Sequence, residues 1–354
     1  MPDSARLPRF SSPETSLVPL LERSLTDQSR SSAPFFIVGC ARTGTTLLRR
    51  LLNAHSQLAV PLESLFILDY LKSGTRASFP ELLKLLVGEP EIREWGIQPA
   101  VSDLQRRDTL PAAIDSLHRL YAQKHGKNRW GQKTPRFIRE LPLLLSAFPD
   151  ALFIHLLRDP RAVASSLIRS EAHRSSAYHA AGRWKRDVNA GLEFEQTHPE
   201  RALRITYEEL VTDQERILGA ITRFLDVPYE PAMLHNSAGD ISGEYSRFYA
   251  RMHSHLAGSV TPAFTAQWRQ QLSASDVLVV ESICSPLMEQ LGYERLLAGR
   301  SGPIQMWASR ARRIPGLVQQ AAHYLRYRNR YAVYLLRRKV QLGLLGSFLS
   351  EINQ

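Results

Sequence analysis

Residues 35–52 read FFIVGCARTGTTLLRRLL, and this stretch decides the fold. Phe35–Val38 is a short apolar run of β type, and the leucines from Leu47 onward recur at helical spacing. Two glycines, Gly39 and Gly44, bracket a polar loop between these two segments. The stretch therefore predicts a strand, a loop and a helix in immediate succession.

The loop Gly39–Thr46 has the length and the position of a phosphate-binding loop (P-loop), whose pattern is GxxxxGK[ST]. Glycines let backbone N–H groups converge on an anion, and the N-terminus of the following helix adds partial positive charge. Thr45 stands where the pattern has lysine, which disfavours ATP hydrolysis, and Arg42 is expected to supply the missing charge. We predict a bound phosphate-sized anion; the alternative is a turn without a ligand.

A second candidate site begins at Arg158, directly after the apolar run Ala151–Leu157. The ends of parallel strands are where ligands bind, and an arginine fork of Arg158 and Arg161 with a nearby serine hydroxyl suits another phosphate. The alternative is that Asp159 caps a helix and leaves the arginines on the surface. Both interpretations predict a helix that starts directly after this strand.

Strands and helices alternate along the chain. Apolar β-type runs are predicted at 35–38, 58–60, 151–157 and 202–206, and helical patterns lie between them. This alternation predicts an α/β fold with a parallel sheet of about five strands flanked by helices. We expect three parts: a flexible leader at 1–33, the α/β domain at 34–300 and a basic helical extension at 301–354.

Taken together, these segments resemble the sulfotransferase family, in particular its bacterial and tyrosylprotein-type members. The resemblance covers roughly residues 34–295, including ITYEELVTDQERILGAITRFLDVPY and QLSASDVLVVESICSPLMEQLGYE. It implies 3′-phosphoadenosine 5′-phosphosulfate (PAPS) as co-substrate. It also implies that the 5′ end is held by the loop, the 3′-phosphate by Arg158 and Ser166, and that Tyr207 lies near the adenine. The loop residues concerned are Arg42, Thr43, Gly44, Thr45 and Thr46.

The resemblance further implies a general base and a cationic catalytic side chain. Glu63 in AVPLESLFI stands where such members carry a glutamate that acts as the general base. Its alternative role is that of an acidic residue at a helix N-terminus. His55 and His125 are weaker base candidates. Lys133 matches a lysine in a K-x-P segment and, with Arg42, is expected to stabilise charge on the bridging and leaving oxygens. Its alternative is a solvated loop lysine.

Composition limits the remaining classes. Cys40 and Cys284 are the two cysteines, too few for a disulfide scaffold and without the spacing of a zinc site, so we expect a reducing compartment and no metal. The first residues show no apolar signal core, and no stretch reaches the roughly 18 apolar residues of a spanning helix. These observations predict a cytoplasmic protein, peripheral to membranes if the extension binds lipid.

The extension holds the excess of positive charge, since the chain from 295 to 350 has eleven basic residues and no acidic one, against a net charge of +11. Leucines and tyrosines at helical spacing alternate there with arginines, as in an interfacial helix. An anionic membrane is one predicted partner. Packing on the core or on a second subunit, with the arginines in solvent, is the alternative, and nucleic-acid binding is least favoured. The side chains expected to face lipid are Tyr324, Tyr327, Tyr331, Tyr334, Leu344, Leu345 and Phe348.

The predicted function is transfer of a sulfuryl group from PAPS to an acceptor hydroxyl or amine. The rival functions are a P-loop phosphotransferase and a catalytically silent nucleotide-binding protein recruited to membranes. Residues 64–130 and 240–262 are expected to select the acceptor, which stays open among peptide tyrosine, carbohydrate, lipid and small metabolite.

Overall fold

The computed structural model describes residues 32–73, 77–104, 108–170, 173–235, 262–319 and 329–344. The leader up to residue 31 and nearly all of the segment 240–262 lie outside these ranges. The predictions made for them therefore stay predictions.

Five strands form one sheet in which every pair is parallel. Their spatial order is β2-β3-β1-β4-β5, so the strand that precedes the glycine loop lies at the centre. The predicted α/β fold with a parallel sheet of about five strands is confirmed. The strands are β1 Phe35–Val38, β2 Leu58–Ala59, β3 Arg129–Lys133, β4 Leu152–Leu157 and β5 Ala202–Thr206.

Helices cover both faces of the sheet, because alternate residues of the buried strands enter two separate apolar clusters. Phe36 and Val38 of β1 pack into one cluster, and Phe35 and Ile37 pack into the other. A 3-10 helix at Pro135–Arg139 follows β3. The α-helices are α1 Thr45–Asn53, α2 Phe66–Leu71, α3 Phe79–Val87, α4 Pro90–Glu94, α5 Val101–Leu104, α6 Leu110–Lys124, α7 Leu141–Ala147, α8 Pro160–Arg169, α9 Ala177–Thr197, α10 Tyr207–Thr212, α11 Gln214–Phe224, α12 Ala232–His235, α13 Ala263–Ala266, α14 Trp268–Gln271, α15 Ala274–Cys284, α16 Leu287–Gln290, α17 Pro303–Ala311 and α18 Asn329–Gln341.

Strand β3 has a sequence, RWGQK, that lacks an apolar run, and sequence reasoning placed no strand there. Each of its polar side chains is nevertheless buried against a specific partner. Arg129 Nε donates to the carbonyl of Ala33 at 2.7 Å, and Gln132 Nε2 donates to the carbonyl of Leu62 at 3.1 Å. Hydrogen bonds compensate the loss of hydration that would otherwise disfavour these burials. The alternative of Lys133 as a solvated loop residue is wrong.

Capping residues fix where the helices after β4 and β5 begin. The carboxylate of Asp159 accepts from the backbone N–H of Arg161 at 2.8 Å, with Pro160 as first helical residue, as the cap interpretation predicts. Thr206 and Glu209 form a reciprocal capping box at the start of α10. At most two residues therefore separate each of these helices from the strand before it.

The C-terminal extension divides into two parts with opposite surroundings. Helix α17 and the helical residues 313–319 lie at the surface, whereas α18 packs against the core through the buried side chain of Arg338. Arg338 contacts three carboxylates at 2.7–2.9 Å, so the expectation that the arginines of a packed extension stay in solvent is wrong for this residue. Its partners are Asp69, Glu89 and Glu91.

The lipid-facing role predicted for the end of the extension is also corrected where the structure describes it. The hydroxyl of Tyr334 bonds to the carboxylate of Glu89, and Leu344 is buried in the apolar cluster that contains Phe36. Both side chains therefore face the protein. Tyr324, Tyr327, Leu345 and Phe348 lie outside the described residues, and the side chain of Tyr331 is not among those described. None of the helices within the described ranges is long and apolar enough to cross a bilayer.

Candidate functional site

The candidate site lies along one edge of the sheet, where the strands end. The glycine loop follows β1, Arg158 follows β4 and Tyr207 follows β5. Lys133 is the last residue of β3, and Glu63 comes four residues after the end of β2. Because the strands are parallel, all five groups meet at the carboxyl edge, the place where open α/β sheets bind ligands.

The loop has backbone conformations that depend on its glycines. Gly44 has a φ of 97°, and a Cβ there would lie 2.4 Å from the Tyr207 ring. A Cβ at Gly39 would lie 2.5 Å from the carbonyl oxygen of Leu156. Arg42 takes a left-handed φ of 74°, which is uncommon for a residue with a side chain and is typical of functional loops. The loop therefore packs closely on β4 and α10.

Arg42 joins the two motifs that the sequence shows as separate. Its Nε donates to Ser166 Oγ at 2.9 Å, and its carbonyl oxygen accepts from Arg158 Nη1 at 3.0 Å. Burial, and then the nearby charge of Arg158, lower the pKa of Arg42. Two guanidinium groups thus lie together near the loop, an arrangement that an anion would stabilise.

Arg158 is held in place by main-chain atoms and an aromatic ring. Its Nη2 donates to the carbonyl of Phe264 at 3.1 Å, and the guanidinium stacks on Tyr207 at 4.1 Å from the ring centroid. The indole of Trp184 donates to the Arg158 carbonyl at 2.9 Å. Within the described ranges, Arg158 Nε is buried without a hydrogen-bond partner and no carboxylate pairs with this arginine. Its charge is therefore free to bind an anion.

Arg161 has the opposite surroundings, although sequence reasoning grouped it with Arg158. Its guanidinium is buried between the carboxylates of Asp159 and Glu281, both at 2.8 Å. It also stacks on Trp268 at 4.2 Å. The predicted arginine fork is wrong in this respect, because Arg161 is neutralised within the protein and only Arg158 retains an unpaired charge.

Lys133 connects the glycine loop with Glu63. Its ammonium donates to Thr46 Oγ1 at 3.0 Å and forms a short ion pair with Glu63 Oε1. The lysine side chain is 2% exposed and that of Glu63 is 25% exposed. Burial lowers the pKa of Lys133, and the Glu63 carboxylate acts against this by favouring the charged lysine. A buried cation thus lies between the glycine loop and a partly exposed carboxylate.

The backbone around Glu63 is held by buried side chains from other elements. Arg49 Nε donates to the carbonyls of Val60 and Pro61, both at 2.9 Å. Trp95 Nε1 donates to the carbonyl of Leu62 at 3.1 Å. Helix α2 begins at Phe66, so Glu63 precedes it and is not an acid of its first turn. The alternative of Glu63 as a helix-terminal acid is therefore not supported.

Sequence reasoning did not identify the side chains that hold this segment. Besides Arg49 and Trp95, they are Gln132, which donates to the Leu62 carbonyl at 3.1 Å, and Thr134, whose hydroxyl accepts from the N–H of Ser64 at 3.2 Å. The available signal was an arginine within the apolar pattern of α1, and two polar residues that flank Lys133. Buried polar residues between apolar ones indicate hydrogen bonds of this kind.

The two histidines considered as alternative bases lie at the other edge of the sheet. His55 precedes β2 and His125 precedes β3, whereas the site follows the strand ends. His55 Nδ1 accepts from the N–H of Gln57 at 3.0 Å, so its Nε2 donates to the carbonyl of Pro228 at 2.8 Å. His125 Nδ1 contacts the carbonyl of Tyr121. Neither imidazole is near the loop.

Glu208 is a titratable group beside the site that sequence reasoning also missed. Its Oε1 accepts from the N–H of Asp159 at 3.0 Å, and its Oε2 accepts from the Tyr293 hydroxyl at 3.2 Å. Burial raises the pKa of Glu208 to about 7, although the Asp159 N–H and the charge of Arg158 act in the other direction. This carboxyl group therefore changes charge near neutral pH, next to Arg158.

Comparison with known proteins gives the family. A family model described as "Sulfotransferase family" matches residues 34–231, more than half of the chain, which include all five strands and every candidate site residue. Two relatives are a putative protein-tyrosine sulfotransferase of Caenorhabditis briggsae and protein-tyrosine sulfotransferase 1 of Danio rerio. Each is 25% identical to this chain and covers 73% of it, with 88% of the first protein and 72% of the second aligned.

Solved structures agree on the fold. The sulfotransferase domain from the curacin biosynthetic pathway has a TM-score of 0.51 at 21% identity, covering 74% of this chain and 98% of that domain. The sulfotransferase domain from the Synechococcus PCC 7002 olefin synthase gives 0.51 at 22% identity. The sequence, the fold and the family model thus agree: the chain belongs to the sulfotransferase family of enzymes, which transfer a sulfuryl group to an acceptor.

Proposed function

We propose that the chain transfers the sulfuryl group of PAPS to an acceptor hydroxyl, with Glu63 as the general base. The observation that carries the proposal is the position of Lys133, whose ammonium contacts both Thr46 of the loop and Glu63. The loop that we propose for the leaving phosphate and the carboxylate that we propose for the acceptor proton thus contact the same ammonium. A substrate held by both would have its attacking and leaving oxygens close to one positive charge.

The proposed donor fits two linked anion-binding positions. PAPS has phosphate groups at both the 5′ and the 3′ positions of its ribose. We assign the 5′ end to Arg42, Thr43, Gly44, Thr45 and Thr46, and the 3′-phosphate to Arg158 and Ser166. The support is that Arg158, without a carboxylate partner in the described part of the chain, lies one hydrogen bond away from Arg42. The adenine is expected beside the Tyr207 ring.

The chemical step moves one group and one proton. The acceptor oxygen attacks sulfur as the bond from sulfur to the bridging oxygen of the 5′-phosphate breaks, and that oxygen keeps the electron pair. The acceptor proton passes to Glu63, whose Oε2 has no hydrogen-bond donor from the described residues. Lys133 and Arg42 stabilise the charge that develops on the bridging and leaving oxygens.

A tyrosine hydroxyl is the acceptor that we propose to test first. The names of the relatives from Caenorhabditis briggsae and Danio rerio include protein tyrosine. The carboxylate of Glu63, partly exposed beside the buried Lys133, is accessible to a substrate from solvent. A phenolic hydroxyl loses its proton more readily than an alcohol, which suits a carboxylate base.

The donor assignment is tested by ligand-dependent thermal stability. A ligand that binds the folded protein raises its melting temperature according to its concentration and affinity. We expect 3′-phosphoadenosine 5′-phosphate to stabilise the protein more than AMP or ATP at equal concentration, because it alone carries the 3′-phosphate.

Transfer of labelled sulfuryl from PAPS to a tyrosine-containing peptide then tests the reaction. Equal stabilisation by the three nucleotides would contradict the donor assignment. Selective binding of the bisphosphate together with transfer to a non-phenolic acceptor would contradict the acceptor assignment alone.

A further inference from the structure

Exposed large apolar side chains are concentrated in one part of the molecule. Single exposed apolar residues are common on protein surfaces, but clusters of them mark interaction sites. Among the described residues, all of the large apolar side chains that are strongly exposed lie in the last sixth of the chain, from residue 296 onward. They are Leu296, Ile304, Trp307, Ile314, Leu317, Val318, Leu336 and Val340.

Four of these side chains form a stripe along α17 and the helical residues 313–319. Ile304 is 84% exposed, Trp307 72%, Ile314 63% and Val318 65%. Ile304 and Trp307 are three residues apart in α17, and Ile314 and Val318 are four residues apart in the helical residues 313–319, so each pair lies on one side of its own helical piece. We call this set, Ile304, Trp307, Ile314 and Val318, the apolar stripe.

The opposite side of this segment is attached to the core. Ser309 is 3% exposed, and its hydroxyl accepts from the N–H of Tyr178 at 3.1 Å. Gly316 approaches the backbone of Arg174 so closely that a Cβ would lie 2.2 Å from its carbonyl oxygen. The side that carries Ser309 is therefore fixed on the protein, and the apolar stripe faces outward.

Exposed arginines lie close to the stripe residues in sequence. Arg300, Arg310 and Arg312 are exposed, and one of them, Arg312, pairs with Asp276 at 3.1 Å. The sequence from 295 to 350 contains no acidic residue, so no carboxylate of this segment neutralises the arginines. A partner that covers the stripe must accept apolar side chains and carry negative charge at its rim.

We propose that residues 303–318 form a docking surface for an anionic lipid bilayer. An outward apolar stripe with a tryptophan and flanking arginines has the chemistry of a helix that lies in the headgroup region. Each arginine gains electrostatic attraction to anionic lipids, while the stripe enters the boundary with the acyl chains. The surface differs from the tyrosine face that the sequence suggested, since Tyr334 faces the protein. The proposal is independent of the donor and of Glu63.

Tryptophan fluorescence is a direct probe of this docking. The chain has five tryptophans, and the other four, Trp95, Trp130, Trp184 and Trp268, are at most 3% exposed. Vesicles of phosphatidylcholine and phosphatidylglycerol in equal amounts should shift the emission to shorter wavelength and should sediment the protein. Trp307→Phe should abolish the shift but keep most of the sedimentation, because phenylalanine retains the apolar contact.

Loss of the stripe should abolish docking without unfolding the protein. We expect Trp307→Ser with Ile314→Ser to weaken vesicle binding at least about tenfold. The matched control is Leu336→Ser with Val340→Ser, which removes two exposed apolar side chains from α18 and should leave binding unchanged. Unaltered melting temperatures in both double variants show that the fold is kept.

Charge is tested in the same assay. Arg310→Ser should weaken binding about fivefold, whereas Arg223→Ser, an equal charge change on α11, should have little effect. Higher salt should weaken binding by the wild-type chain. The proposal is overturned if the full chain does not sediment with the anionic vesicles, or binds pure phosphatidylcholine equally well. It is also overturned if the stripe variants bind normally, or if they dissociate a stable dimer, which would make the stripe a subunit interface.

Discussion

The two sides of the glycine loop treat charge in opposite ways. On the β3 side, Lys133 is buried against Glu63, so cation and anion are paired within the protein. On the β4 side, Arg158 bonds to two backbone carbonyls, and no carboxylate of the described residues pairs with it. On the β3 side the positive charge is paired with a negative one, whereas on the β4 side the positive charge has no carboxylate partner among the described residues.

This difference matches the tasks that we propose for the two sides. On the β4 side, which we call the donor side, the proposed ligand is a nucleotide that carries several negative charges. Guanidinium groups without a carboxylate partner can bind it without first breaking an internal ion pair. The proposed acceptor group is a neutral hydroxyl that must lose a proton, so the β3 side, which we call the acceptor side, needs a carboxylate in a fixed position. Pairing with Lys133 and the hydrogen bonds from Arg49 and Trp95 hold Glu63 and its backbone there.

The acceptor side also depends on the C-terminal extension. Arg338 and Lys339 of α18 contact Asp69 of α2, and Arg338 reaches Glu89 and Glu91 at the start of α4. Helix α2 follows the Glu63 segment, and Trp95 at the end of α4 binds the carbonyl of Leu62. The same extension thus supports the segment of Glu63, the proposed base, from within the protein and carries the apolar stripe on its surface.

The largest expected effect comes from replacing Glu63, the proposed general base of the acceptor side. Glu63→Gln keeps a carbonyl oxygen for Lys133 but cannot receive the acceptor proton, so turnover should fall by roughly 10²–10⁴. Affinity for 3′-phosphoadenosine 5′-phosphate should stay within about threefold, because the loop and Arg158 are untouched. Steady-state kinetics and calorimetry measure the two quantities. Glu193→Gln, an exposed change on α9, is the control, and near-normal turnover of Glu63→Gln would exclude the base role.

The next effect concerns the support of the acceptor side by α18. Arg338→Ala leaves buried carboxylates without their main cation and should lower the free energy of unfolding by about 3–5 kcal/mol in denaturant titrations. Arg337→Ala changes the same charge at an exposed neighbour and should have little effect. A triple variant with Arg338→Met, Glu89→Gln and Glu91→Gln should recover part of the stability that Arg338→Ala loses, because it also removes two of the carboxylates left without a cation. An Arg338→Ala chain as stable as Arg337→Ala would show that the buried network contributes nothing.

A smaller effect tests the donor side. Arg158→Ala should weaken binding of the bisphosphate roughly ten- to hundredfold, the value of a charge-assisted contact of about 1.5–3 kcal/mol. AMP lacks the 3′-phosphate and should lose little affinity. Calorimetric titration with both nucleotides makes the comparison, and Arg169→Ala at the exposed end of α8 serves as control. Equal losses for the two nucleotides would remove Arg158 from the 3′ position.

The smallest effect depends on pH. Burial raises the pKa of Glu208 to about 7 from a usual 4.5, so the folded protein keeps a proton that the unfolded chain has released. The free energy of unfolding should therefore fall as pH rises between the two pKa values, from 4.5 to about 7. Glu208→Gln removes that contribution, and because the side chain is only partly buried we expect the variant to gain about 1–2 kcal/mol over wild type at about pH 8.

At about pH 5 the two proteins should differ little, because Glu208 is then protonated in the folded state. Denaturant titrations at both pH values give the comparison. A difference between variant and wild type that does not change with pH would contradict the raised pKa.

The local structure of the glycine loop and of the end of β4 was the part that sequence could predict. The strand–loop–helix stretch at 35–52 and the arginine after 151–157 are local patterns, and their glycines, apolar runs and caps act within a few residues. Local patterns also predicted the parallel sheet. They could not show that Arg161 is paired and Arg158 is not, because Glu281, a partner of Arg161, is 120 residues away in the sequence.

The acceptor side depends on contacts between distant residues. Strand β3 carries polar side chains that are buried through partners elsewhere in the chain, so its sequence lacks the apolar signal of a strand. Arg338 and Asp69 are 269 positions apart by the numbering, and nothing in the local pattern of either predicts an ion pair. Tertiary pairing of buried charges is the information that a single sequence does not display.

The order of strands along the sheet affects how such a protein can diverge. Residues 60–128 form one long connection between the neighbouring strands β2 and β3, whereas the loop, Arg158 and Tyr207 follow β1, β4 and β5. Insertions and deletions in the loops between the helices of that connection leave the other strand ends unaltered, since loops accept changes in length at small energetic cost. Under the proposed assignment, a lineage can therefore acquire new acceptors by remodelling one contiguous stretch of its gene while the donor stays the same.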